Sequence, residues 1–213
     1  MKEGGIIKNN LIMLDYDGVI VDSKNAFTAT LLAACRTCGY TGIKTPEQVV
    51  RLFDGNFFEA LIHLGLSSEK IDEILGDAFE REAKKHIAKV RPFPGIQASL
   101  NAMSRQNVLT VITSNVSRLV RQVFEKEGIA CVDEVVGGEA ERSKVKKIQK
   151  AMSRYRDLPA YYVGDTKGDM IEGKKAGAVT VAVTWGWHTA DNLAEASPDH
   201  MVNTLSALEN LLS

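Results

Sequence analysis

The stretch Leu11-Ile-Met-Leu-Asp-Tyr-Asp-Gly-Val-Ile-Val-Asp-Ser23 sets two aspartates, Asp15 and Asp17, directly after a short apolar run. The run predicts a buried β-strand that opens into a turn at Gly18. A carboxylate at the carboxyl end of a central strand points into the crevice where open α/β sheets bind ligands. Two carboxylates at that point predict a cation site, because chemistry explains their placement better than folding does.

The composition limits the classes of protein to consider. The chain has 213 residues, 45% of them hydrophobic, so it can bury a sizeable core in one domain or in one domain with a smaller insertion. Its formal net charge of -1 gives no general attraction to nucleic acid or to an anionic membrane. No apolar stretch approaches the roughly 18 to 20 residues that span a bilayer. Three cysteines, an odd number, and a start of Met-Lys-Glu-Gly-Gly without a leading apolar segment predict a cytoplasmic protein.

Short apolar runs alternate with helix-like segments along most of the chain. This order predicts an α/β fold, with a Rossmann-like parallel sheet and helices on both faces. More than 90 residues that look helical throughout separate the first two runs, which is far longer than one crossover requires. We therefore expect a small all-helical inserted domain at residues 23–90, with the catalytic core formed by residues 1–22 and 91–213. The apolar runs lie at residues 11–14, 108–112, 135–136, 161–163, 179–183 and 200–202.

Two further segments place polar groups after predicted strands. The run that begins at Val108 ends in Thr-Ser-Asn, where Ser114 and nearby backbone N–H groups are suited to hold a phosphate at the start of a helix. A simple helix cap is the alternative interpretation. Lys144 follows the Gly137-Gly138 turn in the first turn of a predicted helix, where a cation opposes the helix dipole, so a role beyond helix stability is indicated. The neighbouring Lys146, Lys147 and Lys150 are expected to form a solvated face.

The segment Tyr161-Tyr-Val-Gly-Asp-Thr-Lys-Gly-Asp169 brings Asp165 and Asp169 to the same predicted sheet edge as Asp15 and Asp17. Two bare carboxylates about 4 Å apart repel by roughly 4 kcal/mol at an effective dielectric constant of about 20. A divalent cation reverses the sign of that local field, and hard oxygen ligands favour Mg²⁺.

These four segments, in this order, resemble the motifs of the haloacid dehalogenase-like superfamily of phosphotransferases. The stretch from Asp15 to Ser23 is similar to the first motif, with Tyr16 where Phe is more usual. Thr-Ser-Asn is similar to the second motif, Lys144 to the third, and Gly-Asp-Thr-Lys-Gly-Asp to the fourth. The predicted helical insertion resembles the C1 cap of the family. The tail Ala182-Val-Thr-Trp-Gly-Trp-His188 resembles the phosphoglycolate phosphatase branch.

The resemblance implies a phosphoric monoester hydrolase. Asp15 would attack phosphorus and form an aspartyl-phosphate, which water then hydrolyses. Asp17 would act first as general acid and then as general base. Mg²⁺ would be held by an Asp15 carboxylate oxygen, the backbone carbonyl of Asp17 and Asp165, with Asp169 acting through a metal-bound water or by holding the loop.

The resemblance also implies the substrate contacts. Ser114 and Lys144 would grip the phosphoryl oxygens, with Asn115 assisting through its backbone N–H and Gly18 lying in the binding turn. In the cap, the segment from residue 51 to residue 57 is the candidate lid loop, with Arg51 and Asn56 as candidate substrate contacts. The expected partner is a small phosphorylated metabolite, phosphoglycolate-like or a sugar phosphate, bound by a monomer or homodimer.

Two alternatives remain open at this point. A phosphosugar mutase would use the same aspartates and return the phosphoryl group to a sugar hydroxyl. A non-catalytic regulatory module that binds Mg²⁺ and phosphate also clusters acidic residues and a lysine at strand ends, although it requires neither the insertion nor Asp17 as a proton donor. Dehalogenation is disfavoured, because dehalogenases of the family do not have this second aspartate in the acid/base role.

Overall fold

A computed structural model describes residues 8–213. Residues 1–7, which belong to the predicted core, lie outside the described residues. Six parallel strands form the central sheet in the order β5-β4-β1-β6-β7-β8. The predicted α/β fold class is therefore confirmed. The strands are β1 (Asn10–Leu14), β4 (Asn107–Ile112), β5 (Glu134–Val136), β6 (Ala160–Gly164), β7 (Val179–Val183) and β8 (His200–Val202). Two short strands, β2 (Val21–Asp22) and β3 (Arg91–Pro92), lie outside this sheet.

The alternating side chains of β1 pack into two apolar layers, one on each face of the sheet. Ile12 and Leu14 belong to the layer that includes residues of the helices at 96–104, 117–127 and 205–212, whereas Leu11 and Met13 pack with residues of the helices at 144–154 and 167–176. This is the two-residue period of a strand that is buried on both faces. The helices that follow β3 are α6 (Ile96–Ser104), α7 (Ser117–Glu127), α8 (Lys144–Arg154), α9 (Lys167–Ala176), α10 (Ala190–Ala194) and α11 (Leu205–Leu212).

The order of the strands reverses at β1. From β1 the chain runs to β4 and β5 on one side, and it then returns to β6 on the other side. Such a switch point leaves a crevice at the carboxyl ends of the adjacent strands. Asp15 follows β1 and Asp165 follows β6, so both aspartates lie at this crevice.

The segment between β2 and β3 is helical, as the sequence predicts. These two strands pair antiparallel, with Val21 opposite Pro92 and Asp22 opposite Arg91, and thus join the two ends of the insertion. The helices share an apolar cluster that also includes Leu119 and Trp187 of the remaining chain. The division into a core and a cap at residues 23–90 stays a prediction. The helices are α1 (Lys24–Thr37), α2 (Pro46–Arg51), α3 (Phe57–His63), α4 (Ser68–Glu73) and α5 (Phe79–His86), with a π-helical segment Ile74–Ala78 and a 3₁₀ turn Ile87–Lys89.

None of the helices within residues 8–213 combines the length and the apolar character needed to cross a membrane.

Candidate active site

Three buried aspartates meet where β1 and β6 end. The backbone N–H of Asp15 donates to the carbonyl of Val163 at 2.9 Å, which aligns the end of β1 with β6. Carboxylate oxygens of Asp15, Asp165 and Asp169 all lie within 4.8 Å of one another. The strand ends thus gather side chains that are about 150 residues apart in the sequence.

Lys144 is the buried cation of this cluster. It is the first residue of α8, and its Nζ donates to Asp15 Oδ2 at 2.8 Å and to Asp169 Oδ1 at 2.6 Å. Burial alone would lower the pKa of Lys144, but the charges of Asp15 and Asp169 raise it well above its ordinary value. The ammonium is therefore charged, although only 3% of the residue is exposed.

Asp169 is held by four donors. Its Oδ1 accepts from Lys144 and, at 3.0 Å, from the hydroxyl of Tyr162; its Oδ2 accepts from the Thr166 backbone N–H at 3.1 Å and from Thr166 Oγ1 at 2.7 Å. Burial would raise the pKa of Asp169, but the Lys144 charge and these hydrogen bonds lower it below the ordinary value. Of the two predicted roles, this arrangement fits the one in which Asp169 holds the loop.

The two carboxylate oxygens of Asp165 differ in their hydrogen bonds to the described residues. Its Oδ2 accepts from the Trp187 backbone N–H at 2.7 Å, whereas its buried Oδ1 has no hydrogen-bond partner among the described residues. A buried polar atom without a partner is costly, unless a bound group such as a cation satisfies it. The donor set of Asp15 and Asp165 therefore fits a hard divalent cation.

Burial is the main cause that raises the pKa of Asp15 and Asp165. Burial, opposed in part by the charge of Lys144, raises the pKa of Asp15 to about 7. Burial and then the charges of Asp169 and Asp15 raise the pKa of Asp165 well above its ordinary value. A further positive charge at this position would favour the ionised form of both carboxyl groups.

Gly18 lets the turn after β1 approach Asp165. Its φ is +78°, and a Cβ atom at this position would lie 2.0 Å from Asp165 Oδ2 and 2.7 Å from Trp187 Cδ1. Only glycine satisfies both conditions without a shift of its neighbours. The structure thus places Gly18, a predicted substrate contact, directly against the acidic cluster.

Asp17 and Asn115 connect the first and second motifs. The side-chain amide of Asn115 donates to Asp17 Oδ2 at 3.1 Å, and burial raises the pKa of Asp17 above its ordinary value. The backbone N–H of Asn115, predicted to assist phosphate binding, instead donates to Thr113 Oγ1 at 3.0 Å. In this structure Asn115 therefore contacts the predicted acid/base through its side chain.

A cavity of about 600 Å³ lies between the inserted helices and the turn at residues 113–115, which carries the second motif and is called the second-motif turn. Ser114 and Asn115 line the cavity, together with Phe27, Phe57 and Phe58 of the inserted helices. This volume is typical of small-molecule sites. The position of Ser114 beside the cavity agrees with its predicted contact to a phosphoryl group.

The two substrate contacts predicted in the lid loop are not brought to this cavity. Asn56 caps α3 through Oδ1, and its amide donates to Glu172 Oε1 at 2.7 Å, so its side chain is used to join the insertion to α9. Arg51 ends α2 as an exposed residue. Neither residue is among the described residues that line the cavity.

Lys147 is a residue whose placement the sequence did not reveal. The sequence predicts it on a solvated face with Lys146 and Lys150, but only 2% of it is exposed, and its Nζ donates to the carbonyl of Thr113 at 2.5 Å. The expectation for Lys147 is therefore wrong, because residues three apart share a helix face and Lys144 points inward. That spacing was the signal available in the sequence.

The chain is similar to known proteins over nearly its whole described length. The haloacid dehalogenase-like hydrolase family profile matches residues 12–183. A phosphoglycolate phosphatase of Vibrio vulnificus is 27% identical over 218 residues, which cover 93% of this chain and 93% of that protein. A phosphoglycolate phosphatase of Synechococcus elongatus is 27% identical over 201 residues, which cover 92% of this chain and 94% of that protein. The crystal structure of a predicted phosphatase from Clostridium acetobutylicum has a TM-score of 0.81 at 20% identity, covering 96% of this chain and 98% of that chain, and so supports the fold.

The matched range contains all four segments on which the resemblance rests, from Asp15 to Asp169, together with the helical insertion. The enzyme class is thereby confirmed as a hydrolase, and the resemblance drawn from the sequence is confirmed as well. The chain belongs to the haloacid dehalogenase-like hydrolase family.

Proposed function

We propose that this protein is a Mg²⁺-dependent phosphatase that hydrolyses a small organic phosphate monoester through an aspartyl-phosphate on Asp15. The observation that carries the proposal is the buried cluster itself. Lys144 pairs with Asp15, and beside them Asp165 keeps a carboxylate oxygen without a partner among the described residues. A nucleophilic carboxylate, a fixed cation and room for a metal ion are the groups that phosphoryl transfer needs.

In the first half-reaction, an Asp15 carboxylate oxygen attacks phosphorus while the bond from phosphorus to the alcohol oxygen breaks. Asp17 donates its proton to that oxygen, so the alcohol leaves as a neutral molecule. The raised pKa of Asp17 favours a proton at this position, and the Asn115 amide holds its carboxyl group in place. In the second half-reaction, Asp17 takes a proton from the attacking water, and the break of the Asp15–phosphorus bond releases phosphate.

Lys144 and Ser114 would stabilise the charge on the transferring phosphoryl group. Lys144 is fixed by Asp169, so its ammonium needs little reorganisation as that charge develops. Asp15, Asp165 and the backbone carbonyl of Asp17 would hold Mg²⁺, which would supply positive charge to offset the repulsion between phosphate and nucleophile. The inserted helices, as a cap formed by residues 23–90, would exclude water from the site.

The substrate class is a small phosphorylated metabolite. Phosphoglycolate phosphatases of Vibrio vulnificus and Synechococcus elongatus are similar to this chain, which supports a phosphoglycolate-like ester, and a sugar phosphate is the other candidate. A cytoplasmic location and a monomeric or homodimeric state complete the proposal.

The test compares phosphate release by wild type, Asp15→Asn and Asp157→Asn on p-nitrophenyl phosphate and a panel of phosphorylated metabolites. Asp157 is exposed and precedes β6, whereas the cluster lies at the other end of that strand, so it controls for the same change of charge. We expect turnover with Mg²⁺ and none with a chelator, and only Asp15→Asn should lose it. Wild-type rates in Asp15→Asn would refute the nucleophile, and well-folded wild type without turnover on the whole panel would refute the phosphatase.

A further inference from the structure

The loop before α8 brings the wall of the large cavity next to the second-motif turn. The backbone N–H of Gly138 donates to the carbonyl of Asn115 at 2.9 Å, and the loop then leads directly into Lys144. Glu139, Glu141 and Arg142 of this loop all line the cavity. If Ser114 and Lys144 hold the phosphoryl group, these side chains face the alcohol part of the substrate. The inference therefore rests on the proposed function.

Arg142 is the one lysine or arginine among the described residues that line the cavity. Its guanidinium lies 5.3 Å from the centre of the Phe58 ring and forms an ion pair with Asp72 of α4. The charge of Arg142 is thus already neutralised by a carboxylate on the inserted helices. Only Nη2 of Arg142 is engaged by Asp72, but a substrate carboxylate that reached the other N–H donors would lie beside Asp72 and be repelled by its charge.

The other charged residues of the wall are acidic. Glu139 accepts hydrogen bonds from the backbone N–H and the hydroxyl of Ser117, which are uncharged donors. Glu141 accepts from the Ser143 backbone N–H at 3.0 Å, and its nearest cation, Lys146, is 3.9 Å away on an exposed side chain. Glu80 is paired with Arg118. After these pairings, Glu139 and Glu141 leave the wall negative.

We infer that the substrate carries no negative charge beyond its phosphate, so that the alcohol it releases is uncharged or cationic. Carboxylates accept hydrogen bonds and do not donate them, so Glu139 and Glu141 favour hydroxyl or ammonium groups over a second carboxylate. The aromatic rings of Phe27, Phe57 and Phe58 also attract cations and not anions. Among the candidate substrates, this selects against phosphoglycolate itself.

The test uses three esters with two-carbon alcohols that differ in charge: 2-phosphoglycolate, ethyl phosphate and phosphoethanolamine, with p-nitrophenyl phosphate as the reference. At low ionic strength, we expect kcat/KM for phosphoglycolate to be lower than for either other ester by about fivefold or more, the ratio that one unit-charge contact produces in water. Added salt should reduce the ratio, because the charges are partly exposed.

Asp72→Asn tests whether the charges of the cavity wall cause this preference among the esters, since the variant frees Arg142. We expect this variant to shift the preference toward phosphoglycolate by about fivefold, whereas Asp77→Asn, an exposed carboxylate of the same helical insertion outside the cavity, should not shift it. Equal or higher kcat/KM for phosphoglycolate in wild type, with turnover of the reference ester, would overturn this inference alone. No turnover of any of the four esters would overturn the proposed function and this inference with it.

Discussion

The ammonium of Lys144 lies 2.6 Å from Asp169 Oδ1, and both side chains are almost completely buried. Asp169 also accepts from Tyr162 and Thr166, so its position is fixed independently of any substrate. Because a buried ion pair that loses one partner leaves an uncompensated charge, this contact links the stability of the protein to its chemistry.

Lys144→Met should weaken both properties. The change leaves Asp15 and Asp169 without their shared cation, and we expect a loss of about 3 kcal/mol in the free energy of unfolding. We expect kcat to fall by roughly 100-fold or more, because a fixed charge on the phosphoryl group is removed. Urea unfolding and steady-state kinetics measure the two effects. Lys146→Met, on the exposed face of the same helix, is the control, and equal behaviour of the two variants would contradict the role of Lys144.

Gly18→Ala should abolish Mg²⁺ binding. The added methyl group would overlap Asp165 Oδ2, and a positive φ also disfavours alanine. Gly39→Ala is a matched control, because Gly39 has a φ of +70° but nothing within 4 Å of the added atom. Both variants should lose about 1–2 kcal/mol of stability from the backbone conformation. Only Gly18→Ala should lose Mg²⁺ affinity in calorimetric titration; unchanged affinity would mean that the turn tolerates the overlap without disturbing Asp165.

The topology explains how much of this site is predictable from the sequence. Asp15 and Asp165 follow apolar runs, and a parallel sheet brings the ends of neighbouring strands to one edge, so their meeting could be inferred. The contact of Asn56 with Glu172 spans 116 positions and has no local pattern, so the sequence does not predict it. Lys147 was missed because lysines are usually exposed, and its burial depends on how α8 packs beside Thr113.

The stabilisation of the protein by Mg²⁺ should increase with pH. The pKa of Asp15 is raised from 3.8 to about 7, so between these values the folded state holds a proton that the unfolded state has lost. Without metal, the stability contributed by this group therefore falls as the pH rises from about 4 to about 7. Mg²⁺ must displace the proton at low pH but not at high pH.

We therefore expect a larger Mg²⁺-induced rise of Tm at pH 8 than at pH 5, measured by calorimetry at constant ionic strength. Asp15→Asn removes one of the two proposed metal ligands whose pKa is raised, so it should show less of this pH dependence. The same rise of Tm at both pH values in wild type would contradict ionisation of Asp15 on metal binding.

Asp17→Asn should slow both half-reactions, because the variant neither donates a proton to the alcohol nor accepts one from water. Loss of the proton donor should slow the first half-reaction much less for p-nitrophenyl phosphate than for an alkyl phosphate, since p-nitrophenolate leaves without protonation. Loss of the proton acceptor should make the aspartyl-phosphate accumulate, which rapid acid quench and mass spectrometry detect. Unchanged hydrolysis of the trapped intermediate would argue against Asp17 as general base.

Lys147→Met should alter how stability depends on pH. Burial, and then the charge of Lys144, lowers the pKa of Lys147 from 10.5 to about 8, so between these values the unfolded state holds a proton that the folded state has lost. Stability contributed by this group therefore rises with pH across that window. Between pH 8 and pH 10, we expect the free energy of unfolding of wild type to rise by about 1–3 kcal/mol relative to that of Lys147→Met, as measured by urea unfolding.

Lys150→Met, at an exposed position of the same helix, should show no such gain. A constant difference between wild type and Lys147→Met would mean that Lys147 keeps its proton throughout and that the Thr113 carbonyl compensates its burial. A gain would show instead that the folded state lowers the pKa of Lys147; because the charge of Lys144 is one of the causes, replacing Lys144 should in turn raise that pKa.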